Sequence, residues 1–269
     1  MAGAGVLCEL PNWRIVVEYD GTGFAGWQRQ GGGARTVQGV LEEELAKLAE
    51  GRVGVIGAGR TDAGVHAAGQ VANARAATRL AAKDLLRAWN ARLPRDVAIR
   101  ALAPAPADYH ARRAARSKLY AYRLWTGAER SPLRERTSLR RRPPLDLEAL
   151  RAASRALVGT HDFASFCAAG GDAHGTVRTL TRAEWLGAVG AELRFEVEGP
   201  GFLRHMVRNL VGSLLEVGSG RRPPSWIGEL LHARARSAAG PTAPAHGLVL
   251  VRVDDGFPVG IQELEASSG

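Results

Sequence analysis

The chain has 269 residues, a formal net charge of +9 at pH 7 and a hydrophobic fraction of 45%. This length suits one large domain or two closely packed halves, and the apolar content is enough for a substantial core. The basic residues are almost all arginine, since the only lysines are Lys47, Lys83 and Lys118. Such a charge favours a polyanionic partner, because the planar guanidinium binds phosphate with two parallel hydrogen bonds.

The composition also argues against several classes of protein. Cys8 and Cys167 are far apart and have no metal-binding spacing, which indicates neither a disulfide framework nor a zinc site. No apolar run approaches the length that spans a membrane, and no charged-then-apolar leader opens the sequence. We therefore expect a cytoplasmic protein that does not enter a membrane.

The first part of the chain predicts strands and helices in alternation. Residues 13–19 alternate apolar and polar side chains, which is typical of a half-buried strand. Thr36 is placed to cap an amphipathic helix that Gly51 would end. A short strand is predicted over 65–74 and a second helix over 83–92, stopping at Pro94. The segment 103–106, Ala-Pro-Ala-Pro, is the best candidate for a link between two halves.

The second part repeats this alternation. Residues 117–125 predict a strand in which Lys118, Tyr120 and Tyr122 share one face. The remaining predicted elements are an arginine-rich loop over 129–144, a helix from Asp146 to Gly159, a compact aromatic loop over 159–166, a strand over 192–198, a long helix over 202–217, a shorter helix from Ser225 and a last strand over 248–253. On the long helix, Arg204 and Arg208 would be four residues apart on one side, with His205 between them.

This order predicts an α+β fold with two similar halves, over 12–104 and 105–255. Each half would be a mostly antiparallel sheet with two helices on one face. Strands that keep one polar face do not fit a doubly wound parallel sheet, whose strands are apolar throughout.

The stretch GAGRTDAGVHAAGQV at 57–71 is the predicted chemical centre. Glycines flank Arg60-Thr61-Asp62, and they allow a carboxylate to be lifted from a sheet into a cleft. Arg60 is near enough in sequence to pair with Asp62 and hold it ionised. In most proteins such a pair is only a turn held by a salt bridge. A dinucleotide site is excluded because Asp62 takes the place of the third glycine, and no Gly-Lys-Ser/Thr of a P-loop follows.

Seven segments in register resemble the tRNA pseudouridine synthase A family, which isomerises uridines in the anticodon arm of tRNA. They are YDGTGFAGWQRQ at 19–30, TVQGVLEEEL at 36–45, GRTDAGVHAAGQV at 59–71, YHARRAARSKLYAYRL at 109–124, GTHDFASF at 159–166, GFLRHMVRNLVGSLLEVG at 201–218 and APAHGLVL at 243–250. The resemblance covers nearly the whole chain, from Trp13 to Val253. The sequence departs from the family pattern mainly in the arginine-rich loop, where expected aromatics are missing.

The resemblance implies roles for particular residues. Asp62 corresponds to the essential aspartate, Arg60 to the arginine that pairs with it, Tyr120 to the active-site tyrosine that packs on the target base, and Leu248 to an aliphatic residue of the same pocket. It further implies two RRM-like halves in one continuous sheet with the active-site cleft between them, a homodimer, no metal or organic cofactor, and modification at tRNA positions 38, 39 and 40.

The basic side chains are predicted to bind tRNA phosphates, although a solvated surface charge is as good an interpretation for any single one. The candidates are Arg29, Arg75, Arg113, Arg116, Arg140, Arg141, Arg142, Arg204 and Arg208, with His205 beside the last two. Two rival functions stay open. A tRNA chaperone would bind without catalysis, and a metal-dependent nuclease would need clustered carboxylates, which do not accompany Asp62 in the sequence.

Overall fold

The computed structural model describes residues 10–142, 144–168 and 175–257. Cys8 therefore lies outside the described residues, as does Pro143 in the arginine-rich loop. The described residues form eleven strands and six helices in an α+β arrangement, as predicted. They divide into two compact units, the first up to Arg116 together with residues from Arg252 onwards, and the second from Ser117 to Val251. Within these ranges no helix has the length and apolar character that a membrane span requires.

The first unit contains strands and helices in the order βαββαβ, followed by one short helix. Its elements are β1 (Asn12–Tyr19), α1 (Val37–Ala46), β2 (Glu50–Gly57), β3 (His66–Ala77), α2 (Ala82–Arg92), β4 (Val97–Ala105) and α3 (Ala111–Ala114). β4 pairs with β1, β1 with β3 and β3 with β2, all antiparallel. The helices bury Leu41, Leu45, Leu85 and Trp89 completely. This burial fixes the helices on the sheet.

Two predictions for this unit are wrong at the ends of elements. Thr36 caps α1 as predicted, its hydroxyl accepting a bond from Gly39 N at 3.2 Å, but the helix ends at Ala46 and Gly51 lies in β2. The segment 103–106 is not a link, because Ala103, Pro104 and Ala105 belong to β4. A proline is tolerated there because, among the described strands, β4 is an edge strand that pairs with β1, and an edge strand has positions that need no N–H for pairing.

β1 is buried on both faces, whereas the sequence predicted a half-buried strand. Arg14 is 4% exposed because its guanidinium forms two bonds with the Asp255 carboxylate, of 2.7 and 3.0 Å. Tyr109 Oη donates to the same carboxylate at 2.5 Å. Burial alone would raise the pKa of Asp255, but the bonds from Arg14 and Tyr109 more than offset this and hold it below its usual value. A polar layer, rather than solvent, therefore covers this face.

Four neighbouring strands form the main sheet of the second unit. Its elements are β5 (Ser117–Trp125), β6 (Leu139–Arg140), α4 (Leu147–Arg155), β7 (Gly159–Asp162), β8 (Val177–Leu180), β9 (Arg182–Gly187), β10 (Glu192–Gly199), α5 (Met206–Gly218), α6 (Trp226–Ala233) and β11 (Leu248–Asp254), whose last three residues belong to the first unit. β10 lies between β5 and β9, and β6 pairs parallel with β5. Phe195 is fully buried and its ring centroid is 5.1 Å from that of Trp185.

The second unit corrects three further predictions. α4 ends at Arg155 rather than Gly159. Residues 159–162 form β7, paired with β8, rather than part of a loop, while Phe163 and Phe166 are fully buried. The long helix, α5, begins at Met206, so that Arg204 and His205 precede it. The apolar stripe was visible in the sequence, but it continues through Leu203 and therefore hid the point where the helix begins.

Candidate active site

Asp62 lies in the loop of residues 58–65 that connects β2 to β3, and it is half-buried. The chain turns directly after it, since Val65 N donates to Asp62 O at 3.2 Å. Gly64 has a φ of +77°, a conformation that L side chains rarely adopt, and its N–H donates to Phe24 O at 3.3 Å. The backbone on the C-terminal side of Asp62 is thus fixed by a turn and by the segment after β1.

The segment of residues 20–28 supports the other side of the loop at very short range. Trp27 N donates to Thr61 O at 3.1 Å. Gly26 has a φ of +101°, and a Cβ added there would lie 2.7 Å from Thr61 O. A Cβ added to Gly21 would overlap Val65 O. Only glycine permits this approach of two backbones, which explains the glycine-rich segment that follows β1.

Beneath the loop, Tyr19 and Thr61 form a buried pair. Their hydroxyl oxygens are 2.8 Å apart, and the two residues are 3% and 6% exposed. Burial raises the pKa of Tyr19 well above its usual value, so the phenol stays neutral. Gln70 Nε2 donates to Gly59 O at 2.9 Å and fixes the start of the loop. The loop is therefore held from below by side chains and from the side by backbone.

Arg60 is exposed, and its Nε donates to Gln28 Oε1 at 3.2 Å. Gln28 is held in turn, because its Nε2 donates to Gln38 Oε1 at 2.6 Å. The pairing of Arg60 with Asp62, which the sequence predicts, stays a prediction.

Tyr120 lies in the middle of β5 opposite Val197 of β10. It is 7% exposed, and its ring makes an edge contact with Phe202, with centroids 5.0 Å apart and planes at 79°. Two residues on, Tyr122 Oη donates to Pro244 O at 2.9 Å. That bond ties the turn before β11 to β5, and Leu248, 5% exposed, begins β11 directly after the turn.

Comparison with known proteins decides the class of this site. The family model for tRNA pseudouridine synthase matches residues 15–112 and 153–254. The chain is 46% identical to a tRNA pseudouridine synthase A of Myxococcus xanthus over 91% of this chain and 92% of the relative. It is also 46% identical to one of Geobacillus kaustophilus (89% and 93% covered) and 42% identical to one of Pseudomonas aeruginosa (88% and 83%).

The chain belongs to the tRNA pseudouridine synthase family. It is therefore an isomerase that converts uridine to pseudouridine in tRNA. The matched ranges include the Asp62 loop and Leu248, whereas Tyr120 and Arg141 lie between them.

In this pseudouridine synthase, the residues around the start of α5 differ from their predicted arrangement. Arg204 and Arg208 do not share a helix face, because Arg204 lies before the helix and His205 has a left-handed φ of +60°. Arg204 is exposed, and its carbonyl accepts a bond from Ala168 N at 3.1 Å. Arg208 lies on α5, and its Nε donates to Ala243 O at 2.8 Å. The sequence missed the left-handed residue because a left-handed conformation at a residue other than glycine is uncommon.

The other candidate RNA contacts fall into different environments. Arg29 forms an ion pair with Glu42 at 3.0 Å, which partly neutralises it. Arg141 is half-buried, and its backbone N–H donates to Trp125 O at 2.9 Å. Arg113 is exposed on α3.

Arg113 belongs to a positively charged cluster in the first unit. Burial, followed by the charges of Arg113, Arg112 and Arg75, lowers the pKa of His110 below its usual value. These arginines therefore lie close enough to one imidazole to disfavour its protonation. A phosphate brought to this cluster would relieve the repulsion among them.

Sequence reasoning missed the residues that support the Asp62 loop: Tyr19, Gln28, Thr61 and Gln70. Their contacts join residues that are far apart in the chain, as for Tyr19 and Thr61, which are 42 residues apart. The available indication was that YDGTGFAGWQRQ and GRTDAGVHAAGQV both belong to the family resemblance. The structure supplies the physical reason, because one segment supports the other.

Proposed function

We propose that this enzyme modifies uridines in the anticodon stem-loop of tRNA, at positions 38, 39 and 40, with Asp62 as its essential carboxylate. The observation that carries the proposal is the presentation of Asp62, which is half-buried on a loop whose neighbouring residues are fixed on both sides. A carboxylate that reacts must be held rigidly and must be able to reach a ligand.

The reaction has three steps. The bond between uracil N1 and the ribose breaks, the freed uracil turns, and C5 bonds to the ribose and loses its proton. Asp62 serves by attacking the ribose anomeric carbon, by attacking C6 of uracil or by removing the ribose 2′ proton. Arg60 keeps the carboxylate charged and aimed. Tyr120 gives the uracil a flat surface, and Leu248 lines the same pocket.

The target base must leave its stack, which costs a few kcal/mol. Phosphate contacts from arginine offset this cost, and the +9 charge of the chain supplies them. Arg29, Arg113, Arg141, Arg204 and Arg208, with His205, are the proposed contacts. The positive charges of Arg113, Arg112 and Arg75 around His110 support Arg113 in particular.

We also infer that each half is RRM-like. The first unit has the order βαββαβ with strand order β4-β1-β3-β2, and β5, α4, β9, β10, α5 and β11 repeat that order of elements in the second. The halves are proposed as 12–104 and 105–255, by the family resemblance. A continuous sheet with the cleft between the halves, a homodimer, a cytoplasmic location and activity without a cofactor stay predictions of the same resemblance.

The test uses unmodified tRNA that carries tritium at C5 of uracil. We expect the wild-type enzyme to release tritium and Asp62→Asn to release none, while both bind tRNA with equal affinity. Asp84→Asn is the matched control, since Asp84 is an exposed carboxylate on α2 and should keep full activity. Mapping pseudouridine on the product tests positions 38, 39 and 40. Release of tritium by Asp62→Asn at the wild-type rate would overturn the proposed role of Asp62. If the wild-type enzyme and Asp62→Asn both bind tRNA and neither releases tritium, the result would support a tRNA chaperone instead.

A further inference from the structure

Thr61 and Asp62 differ in their surroundings although they are adjacent. Thr61 is 6% exposed and its hydroxyl lies 2.8 Å from that of Tyr19, whereas Asp62 is half-buried. The peptide bond that joins the two residues is planar and rigid, so the orientation in which Thr61 is held restricts the orientation of Asp62.

Backbone bonds on both sides of the Thr61–Asp62 peptide bond hold the main chain of the loop, and the hydroxyl pair acts on the Thr61 side chain in addition. Trp27 N holds Thr61 O at 3.1 Å, and the turn from Asp62 O to Val65 N closes at 3.2 Å. These bonds fix where the peptide units lie. A hydroxyl pair below the loop adds the contact that resists rotation of Thr61 about its own backbone.

We propose that Tyr19 is a positioning residue for catalysis, which acts through Thr61 to aim the Asp62 carboxylate at the uridine. The inference rests on the proposed role of Asp62. Tyr19 does not touch the substrate in this scheme, because its ring is 3% exposed. It does not exchange a proton either, since burial keeps the phenol neutral.

Tyr19 is well placed to transmit rigidity from the core. It is the last residue of β1, opposite Ala67 of β3, and its ring lies 6.0 Å from the buried ring of Trp27. A phenylalanine at this position would keep these packing contacts and lose only the hydroxyl. The hydrogen bond can thus be removed with little change in the core.

The experiment measures single-turnover pseudouridine formation and tRNA affinity for four variants. We expect Tyr19→Phe and Thr61→Val each to lower the rate of the chemical step roughly tenfold to a hundredfold, because a misplacement of about 1 Å costs that much. Affinity for tRNA should stay within about twofold, since phosphate contacts dominate it. Thr61→Ser keeps the hydroxyl and should keep most of the rate. The double variant Tyr19→Phe/Thr61→Val should be no slower than either single variant.

Tyr109→Phe is the matched control, because it removes another hydrogen-bonded tyrosine hydroxyl, the one that donates to Asp255, from the same unit. It should lower thermal stability and leave the rate unchanged. The proposal is overturned if Tyr19→Phe reacts at the wild-type rate, if the effects of the two substitutions multiply, or if only tRNA affinity changes. If Tyr19→Phe does not fold, Thr61→Val against Thr61→Ser still tests the hydroxyl pair. Asp62→Asn reacting at the wild-type rate would refute the proposed role of Asp62 and the Tyr19 proposal with it, whereas an inactive Asp62→Asn together with a wild-type rate for Tyr19→Phe would refute the Tyr19 proposal alone.

Discussion

The Asp62 loop and the strand that carries Tyr120 hold their residues by different means. Hydrogen bonds and close glycine contacts fix the loop, and Asp62 is half-buried on it. Tyr120 sits within a paired strand, 7% exposed, and rests on an apolar layer that includes Phe202 and Val197. A reacting carboxylate needs direction, which hydrogen bonds supply, whereas a stacking ring needs a flat and rigid surface, which packing supplies.

This difference predicts different responses to substitution. Damage to the loop should lower the rate more than the stability, because few core contacts are lost. A substitution that removes packing around the strand of Tyr120 should lower the free energy of unfolding, with a smaller effect on the reaction rate of the molecules that remain folded. The two regions can therefore be separated by measuring both quantities on the same variants.

The largest effect on stability should come from Phe195→Ala. Phe195 is fully buried on β10, opposite Tyr122 and in contact with Trp185, so its loss should cost about 3–5 kcal/mol of unfolding free energy. Hydrogen exchange at β10 amides measures this loss in the second unit itself. Leu133→Ala is the control, since Leu133 is 92% exposed and should change stability by less than about 0.5 kcal/mol.

A second expectation concerns Phe195→Ala at low temperature. The folded fraction should then react within a few-fold of the wild-type rate, because Asp62 and its supports are untouched. If fully folded Phe195→Ala loses as much of its reaction rate as Asp62→Asn, packing around Phe195 also controls the rate.

Gly26→Ala should have a smaller effect on stability and a larger one on the rate. Its φ of +101° and the 2.7 Å approach to Thr61 O leave no room for a Cβ, so the loop must shift. The strained backbone should cost about 1–3 kcal/mol. The rate should fall at least about tenfold, because Asp62 moves with Thr61.

Gly31→Ala is the control for Gly26→Ala, since a Cβ at Gly31 would meet nothing within 4 Å. It should react like the wild-type enzyme in the same tritium-release assay. Equal rates for the two alanine variants would mean that the loop tolerates displacement, and the contrast with the Tyr120 strand would fail.

The sequence predicted those parts of the molecule that depend on local pattern. Alternation placed β5 over Ser117–Trp125 to the residue, and Thr36 caps its helix as expected. The helix predicted to begin at Asp146 does so, with Asp146 as its cap. β2 was missed because five of its eight residues are polar, charged or glycine with no alternation, and only Val55 is buried. Local pattern also could not show that Arg14 is buried, because its partner Asp255 is 241 residues away.

The candidate site follows the same division. The glycines around Asp62 predicted a carboxylate lifted from a sheet into a cleft, and the family resemblance selected Tyr120 and Leu248. The supports of the loop depend on contacts between distant segments, such as Trp27 with Thr61, and these appear only in the folded chain. The residues proposed to react were thus easier to predict from the sequence than the residues that support their loop.

The smallest effect should come from a residue outside both regions, on the proposed RNA surface. Arg113→Gln removes one exposed charge from the cluster around His110 and should weaken tRNA binding only a few-fold, with the rate of the bound complex unchanged. The slope of log affinity against log salt should become shallower by about 0.7–0.9, as expected for one lost phosphate contact. Arg79→Gln changes the net charge equally, but Arg79 is 91% exposed and pairs with Glu50 at 2.8 Å, so its salt slope should not change. Equal salt slopes for the two variants would mean that Arg113 is a solvated surface charge that does not contact tRNA. A lower reaction rate of Arg113→Gln at saturating tRNA would mean that Arg113 helps to position the uridine.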